Sequence, residues 1–373
     1  MKLALIGCGG VGQAFLEILR GGRRELQERY GLDVTVVAVS DPVKGSVAHA
    51  DGLDLQAMQA ALAAEGTLAA YRGQAGVVHG WDSLSTIRES GAEVVVEATP
   101  TTASGEPATT HCRAALSRGC HVITSNKGPL VHAYTELMEL AAARGVHLGI
   151  EGTVMSGTPS LRLAREALAG AGICGVRGVL NGTTNYMLTQ MEAGQPYAEA
   201  LAEAQAAGYA EADPTGDVEG FDAAYKLMIL SRHVLHMPVE LEDIAREGIT
   251  HLTPAAMAAE RSGGAHWRLV AQLARRGAGY VASVRPEVLP AADPLAAVGG
   301  VTNAITYETE LLGPVTLLGP GAGRRETGYA LLRDVLDLAR PLGERTAARS
   351  AAARAVPSGR GVPDGGWTAW RRR

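Results

Sequence analysis

A short apolar run, Lys2–Ile6, ends directly in Gly7-Cys8-Gly9-Gly10-Val11-Gly12, and residues 11–20 follow with apolar side chains at helical spacing. This juxtaposition constrains the fold more than any other feature of the chain. G-x-G-x-x-G between a strand and a helix allows a tight turn, close approach of a diphosphate to the main chain, and close helix–strand packing. The amino end of the helix then offers unpaired N–H groups and a partial positive charge. Gly7, Gly9, Gly10, Val11 and Gly12 are therefore candidate dinucleotide contacts. The alternative is a plain glycine-rich turn, with Cys8 as a small filler.

The pattern downstream favours the nucleotide. Residues 34–39 are β-branched and continuous, as in a strand buried on both faces of a parallel sheet. Strands are expected at 93–97, His121–Thr124 and 147–150, with a further short one at 77–78, and helices at 111–118 and Tyr134–Arg144. Such alternation implies βαβ units and a parallel sheet with helices on both faces. An alanine-rich helix at 53–64 reads as a structural insertion. Beyond residue 150 the pattern changes to strands at 176–180, 280–286, 304–308 and 313–318 among helices at 160–169, 198–206, 222–235 and 265–275. The expected fold is thus α/β: a Rossmann-type dinucleotide-binding domain over 1–150, then an α+β substrate-binding and dimerisation domain over 151–312. A return segment, 313–345, carries a second glycine cluster and a final helix at 327–338 that packs on the nucleotide domain. Residues 346–373 lack periodicity and are expected to be a disordered basic tail.

Composition excludes several classes. The net charge of −5 gives no reason to expect nucleic acid as a partner. No apolar run reaches the roughly 20 residues a membrane helix requires, and the amino terminus has no signal-peptide pattern. Four scattered cysteines suit a reducing cytoplasm, and none of the ten histidines stands at zinc-ligand spacing.

Five stretches carry the chemistry. Asp41, after the second strand, would bond a ribose 2′-hydroxyl and suit NAD, whereas nearby Lys44 would suit the 2′-phosphate of NADP; the two point in opposite directions, with a slight lean to NAD. Thr99, in EATPTT, and Lys127, in SNKGPL, end successive strands at the sheet edge where such folds bind ligands. Residues 151–159 link the halves and are rich in small side chains, so carbonyls there could turn around a hard cation beside Glu151. The densest stretch is 208–226, where Glu211, Asp213, Asp217, Glu219 and Asp222 lead to Lys226. Asp222 and Lys226 are four apart and share a face if helical. A carboxylate holding an ammonium suits transfer of one proton to a small substrate that bears its own amine.

Together GCGGVG, EATPTT, SNKGPL, EGTVMSGTPS, LNGTTNYML, GYAEADPTGDVEGFDAAYKL and GPGAGRRETG resemble homoserine dehydrogenase, over a span reaching about residue 340. The resemblance implies reversible reduction of L-aspartate 4-semialdehyde to L-homoserine with NADH or NADPH, in threonine and methionine biosynthesis. It implies Lys226 as proton donor, Lys127 at cofactor and substrate, and Glu211, Asp217 and Asp222 around the substrate. Cofactor contacts would include Gly10, Val11, Thr99, Gly208 and Gly323. A monovalent cation, Na+ or K+, would sit at Glu151, Val154, Ser156 and Thr158, held mainly by backbone oxygens. No kinase region precedes the glycine loop and no ACT-type domain follows, so a monofunctional short form is expected, as a homodimer.

Two other readings compete. A phosphorylating semialdehyde dehydrogenase needs a cysteine nucleophile beside a base, and Cys112, Cys120 and Cys174 show no such arrangement. A catalytically inactive Rossmann-type regulator would not need both lysines and the acids.

Overall fold

The computed structural model describes residues 1–260, 263–276 and 279–339. The expected tail over 346–373, and the end of the return segment before it, lie outside the described residues.

The first apolar run is β1 (Lys2–Ile6), buried from Leu3 onward, and α1 (Gly10–Tyr30) rises from the glycine loop. This helix runs ten residues further than its periodicity suggests, through Gly21 and Gly22, and closes at Gly31 with φ 62°. Each interior glycine costs about 1 kcal/mol, which Leu19 and Leu26 offset by packing into the nucleotide-side core. The chain continues as β2 (Thr35–Asp41), β3 (Gly45–Ala48), α2 (Leu55–Glu65), β4 (Val78–His79), α3 (Ser83–Glu89), β5 (Val94–Glu97), α4 (Ala108–Arg118), β6 (His121–Thr124), α5 (Gly128–His132), α6 (Tyr134–Arg144) and β7 (Leu148–Gly149). These strands form one sheet in the order β4-β3-β2-β1-β5-β6-β7, all running in one direction except β3, which is antiparallel to both β2 and β4. Strand β3 was not foreseen, since four residues are too few to display an alternation. Strand order reverses around β1, so the carboxyl ends of β1 and β5 open the crevice where ligands bind in such sheets.

The second half contains α7 (Ser160–Arg162), β8 (Ile173–Val179), α8 (Gly182–Glu192), α9 (Tyr197–Ala206), α10 (Thr215–Val218), α11 (Phe221–His233), β9 (Ile244–Arg246), α12 (Pro254–Glu260), β10 (His266–Arg276), β11 (Gly279–Leu289), β12 (Thr302–Thr309), β13 (Gly313–Pro320) and α13 (Arg324–Ala339). Helix α7 passes into a π-helical turn, Leu163–Ala167, rather than continuing as one α-helix. The second sheet has the order β13-β12-β8-β10-β11-β9.

One expected helix is a strand. Residues 265–275 were read as helical, but β10 pairs along its length with β11 and also with β8. Trp267, Leu269, Ala271 and Leu273 enter the main core at a period of two, while Val270 packs in a small cluster on the other side. Because Arg268 and Val270 are buried on the second face as well, polar and apolar residues do not alternate with a period of two, and such a run does not distinguish strand from helix by periodicity.

Helix α13 returns to the first sheet and packs on α1. The approach is close: a Cβ on Gly328 would lie 2.9 Å from the Phe15 nitrogen. The architecture is a Rossmann-type α/β unit joined to a second sheet unit, with the crevice of the first facing residues of the second. Among the described residues no helix is long and apolar enough to cross a membrane.

Candidate active site

The glycine loop is shaped by contacts that only glycine permits. At Gly7, φ is 95° and a Cβ would lie 2.6 Å from the Ala98 carbonyl carbon. At Gly12 a Cβ would lie 2.2 Å from the Gly7 oxygen. Gly9 differs, because a Cβ there would meet nothing within 4 Å. Gly9 caps α1 with no side-chain hydrogen bond, and the first turn contains no acid. The first N–H groups of α1 therefore face an open, electropositive cradle that fits a dinucleotide's diphosphate.

Asp41 stands at the end of β2 beside this loop. Its Oδ2 accepts from the Cys8 N–H at 2.8 Å, and its Oδ1 from the N–H groups of Val43 and Lys44 at 2.9 Å each. Burial alone would raise its pKa, but the backbone donors from Lys44, Cys8 and Val43 and the Lys44 charge lower it. Asp41 is thus a carboxylate at neutral pH.

At the end of β5 the organising residue is Glu97, which the sequence reading did not single out. Fully buried, it accepts from the Thr99 N–H, the Thr99 hydroxyl, and the Thr124 hydroxyl at 3.2 Å. The Asn126 amide then donates to the carbonyl oxygens of Thr99 and Pro100 at 3.0 and 3.1 Å. Two strand ends are thereby locked together, and Lys127 leaves the second of them. An acid closing the buried run EVVVE was the available signal, because a buried carboxylate needs partners.

From the other unit comes α11. Gly220, with φ 79°, precedes it, and Lys226 lies one turn in at 7% exposure. The Lys226 ammonium donates to Asp222 Oδ2 at 2.8 Å and to the Leu180 carbonyl at 2.6 Å. Asp222 Oδ1 lies 3.4 Å from the Lys127 ammonium. Asn181, the amino-terminal cap of α8, donates through its amide to Asp222 Oδ2 at 2.9 Å and to Asp217 Oδ1 at 2.6 Å. Burial would raise the pKa of Asp222, but the two ammonium charges and the bonds from Lys226 and Asn181 hold it well below the usual range. Asp217 is shifted the other way, first by burial and then by the charge of Asp222, against the Asn181 bond. Asp217, Asp222, Lys226 and Lys127 are therefore one cluster, with Asn181 as a member that sequence reasoning missed. An ammonium has three donors. Two of those on Lys226 are spent, which leaves one for a substrate oxygen.

Glu211 is not part of that cluster. It is exposed, and among the described residues only its backbone carbonyl is engaged, by Gln205. Gly208, φ 75°, is exposed at the start of the same loop, and Gly323, φ 136°, precedes α13 across from the glycine loop.

The linker residues Glu151, Val154, Ser156 and Thr158 are all buried. Several of their oxygens are already engaged: Glu151 Oε1 accepts from Leu161, the Val154 carbonyl from Ser160, and the hydroxyls of Ser156 and Thr158 bond Thr327 and the Pro320 carbonyl. Burial raises the pKa of Glu151 against the nearby Arg162 charge. No group of three or more His, Cys, Asp or Glu side chains that could hold a metal exists among the described residues. Any cation here would rely on main-chain carbonyls and the second Glu151 oxygen.

Thiol chemistry is disfavoured. Burial pushes the Cys8 thiol up to about 12 and raises Cys112 well above its ordinary value. Cys120 and Cys174 donate to the backbone carbonyls of Ala92 and Glu308.

Comparison with known proteins agrees with this geometry. The family model described as homoserine dehydrogenase, NAD binding domain, matches residues 7–151, and the model described as homoserine dehydrogenase matches residues 159–336. The chain belongs to the homoserine dehydrogenase family. It is 43% identical over 341 residues to the NAD(+)-dependent homoserine dehydrogenase of Pseudomonas canavaninivorans, covering 90% of this chain and 96% of the relative. The homoserine dehydrogenase structure from Thiobacillus denitrificans superposes with a TM-score of 0.79 at 30% identity, over 92% of this chain and 74% of that one. A hyperthermophilic archaeal homoserine dehydrogenase in complex with NADPH gives 0.77 at 31% identity, over 91% and 98%. This homoserine dehydrogenase is accordingly an NAD(P)-dependent oxidoreductase that interconverts L-aspartate 4-semialdehyde and L-homoserine. The reading as an inactive regulator is not favoured.

Proposed function

We propose that Lys226 is the proton donor to the substrate carbonyl oxygen and that Lys127 assists at the same point. The observation that carries this is the sharing of Asp222 by both ammonium groups across the two units. The reduced nicotinamide, when bound, supplies the hydride. This chain's residues supply charge and position: Lys226, with one donor free, faces the negative charge that develops on the carbonyl oxygen, a contribution of roughly 10²–10⁴ in rate. Asp222 orients both lysines, and Asp217 supports that arrangement through Asn181. Glu211 is assigned to the substrate's α-ammonium, for which an exposed carboxylate on the loop following Gly208 is suited. Gly7, Gly9, Gly10, Val11, Gly12, Thr99, Gly208 and Gly323 are assigned to the cofactor.

The cofactor assigned is NAD in preference to NADP. Asp41, held ionised by three backbone donors, would bond a ribose 2′-hydroxyl and repel a 2′-phosphate. The NAD(+)-dependent relative from Pseudomonas canavaninivorans supports the same choice. A monovalent cation at Glu151, Val154, Ser156 and Thr158 belongs to the reading as well, supported by the left-handed Met155 and Ser156, which turn that backbone. Four unpaired cysteines support a cytoplasmic location. A homodimer through the second sheet is supported by its exposed apolar edge. Steady-state oxidation of L-homoserine tests the cofactor assignment: kcat/KM with NAD should exceed that with NADP by at least about tenfold, the scale of one hydrogen bond to a charged group. Equal values, or an Asp41→Ala variant that keeps the NAD preference, would overturn it.

A further inference from the structure

Arg324 is the first residue of α13. Its side chain lies against the first residue of α1: a Cβ on Gly10 would be 2.6 Å from both Arg324 Cδ and Nε. The guanidinium is exposed, and among the described residues no carboxylate or carbonyl pairs with it. The acid on its own turn, Glu326, is placed over Gly323 instead, where a Cβ would meet its Oε2. An unpaired arginine thus rests at the positive end of a 21-residue helix whose first turn contains no acid. Two like charges, one fixed and one the partial charge of a helix end, repel unless an anion lies between them.

We propose that Arg324 is a phosphate clamp: it closes over the Gly9–Val11 main chain and bonds the cofactor's diphosphate from the side opposite the α1 N–H groups. The inference rests on the nucleotide assignment of the glycine loop and extends it to a residue contributed by the returning helix. Arginine suits this role, since its planar fork matches two phosphate oxygens at once. The diphosphate is common to NAD and NADP, so the clamp is independent of the choice made at Asp41. It also gives α13 a purpose beyond packing on α1, because the helix brings one cation to the binding loop once the chain has completed the second sheet.

The test is direct binding without substrate. NADH and ADP-ribose, which keeps the diphosphate but lacks nicotinamide, are titrated into the full chain and its Arg324→Gln and Arg324→Lys variants at two salt concentrations. Arg324→Gln should weaken both probes by about tenfold or more. It should also flatten the salt dependence, and Arg324→Lys should recover part of the loss. Because the side chain has no partner, the melting temperature without cofactor should stay at the wild-type value. Unchanged affinity for ADP-ribose in Arg324→Gln would overturn the clamp, as would a loss confined to NADH. A wild type that binds neither probe would instead overturn the nucleotide assignment of the loop, and the clamp with it.

Discussion

Asp222 is shared by two lysines from different halves of the molecule: its Oδ2 lies 2.8 Å from Lys226 and its Oδ1 3.4 Å from Lys127. The carboxylate therefore fixes the distance between the returning end of the first sheet and helix α11. The proposed chemistry needs the cofactor held by one unit and the proton donor held by the other, and Asp222 is the contact that spans the two.

Removing the donor should separate chemistry from binding. Lys226→Ala is expected to lower kcat by at least about 10² while leaving the Kd for NADH within twofold or so. Turnover by stopped-flow and NADH binding by fluorescence check the two halves. A variant that keeps most of its turnover would refute the assignment.

Asp222 should also leave a mark on acid stability. Its unfolded value is near 4, and its folded value is lower because two ammonium groups face it. The unfolded chain takes up the proton first as pH falls, so the stabilisation is complete above about pH 4 and fades as pH drops toward the folded value. Asp222→Asn, which strands a buried ammonium, should cost on the order of 3 kcal/mol at neutral pH. Urea unfolding at about pH 7, 5 and 3.5 should show a constant deficit at the first two and a smaller one at the last. A deficit that does not change with pH would mean that Asp222 is not the ionised partner.

Much of this site could be read from the chain because the informative residues are local. The glycine loop follows its strand immediately, and Asp222 and Lys226 are one helical turn apart. Thr99 and Lys127 end strands whose apolar runs are plain in the sequence. What escaped notice depends on distant partners. Glu97 becomes meaningful only once Thr124, on the neighbouring strand, bonds it. Asn181 bridges Asp217 and Asp222 across about forty positions, a contact that no spacing rule encodes. Strand β10 reads as a helix in sequence because side chains packed above and below the sheet bury residues on both of its faces and erase the alternation. Glu211 is close to these residues in sequence, yet its side chain is exposed and bonds none of them.

Two neighbouring glycines should fail in different ways. Gly12→Ala drives a methyl against the Gly7 carbonyl oxygen, which is backbone and cannot swing aside. It should cost about 1–3 kcal/mol of stability along with cofactor affinity. Gly9→Ala projects into open space, so melting temperature should hold while the Kd for NADH rises, because the methyl occupies room meant for the diphosphate. Thermal melts beside NADH titrations distinguish the two. Equal melting losses in both variants would contradict this picture of the loop.

The second sheet ends at β13, and the β12–β13 hairpin presents Leu311, Leu312 and Leu318 at 59%, 63% and 51% exposure. An edge strand has unpaired N–H and C=O groups, and an exposed apolar cluster beside it marks a surface that is covered in use. A second copy of the chain related by a two-fold axis would cover both at once, since the same patch then meets itself. Light scattering at micromolar concentration is expected to give twice the mass of one chain. Leu312→Asp combined with Leu318→Lys should shift it to a single chain, with the circular dichroism spectrum retained. Because Lys226 and Lys127 both belong to one chain, the isolated monomer should retain measurable turnover. A wild type that scatters as a monomer would end the dimer proposal. A double variant that remains dimeric would move the interface away from this hairpin.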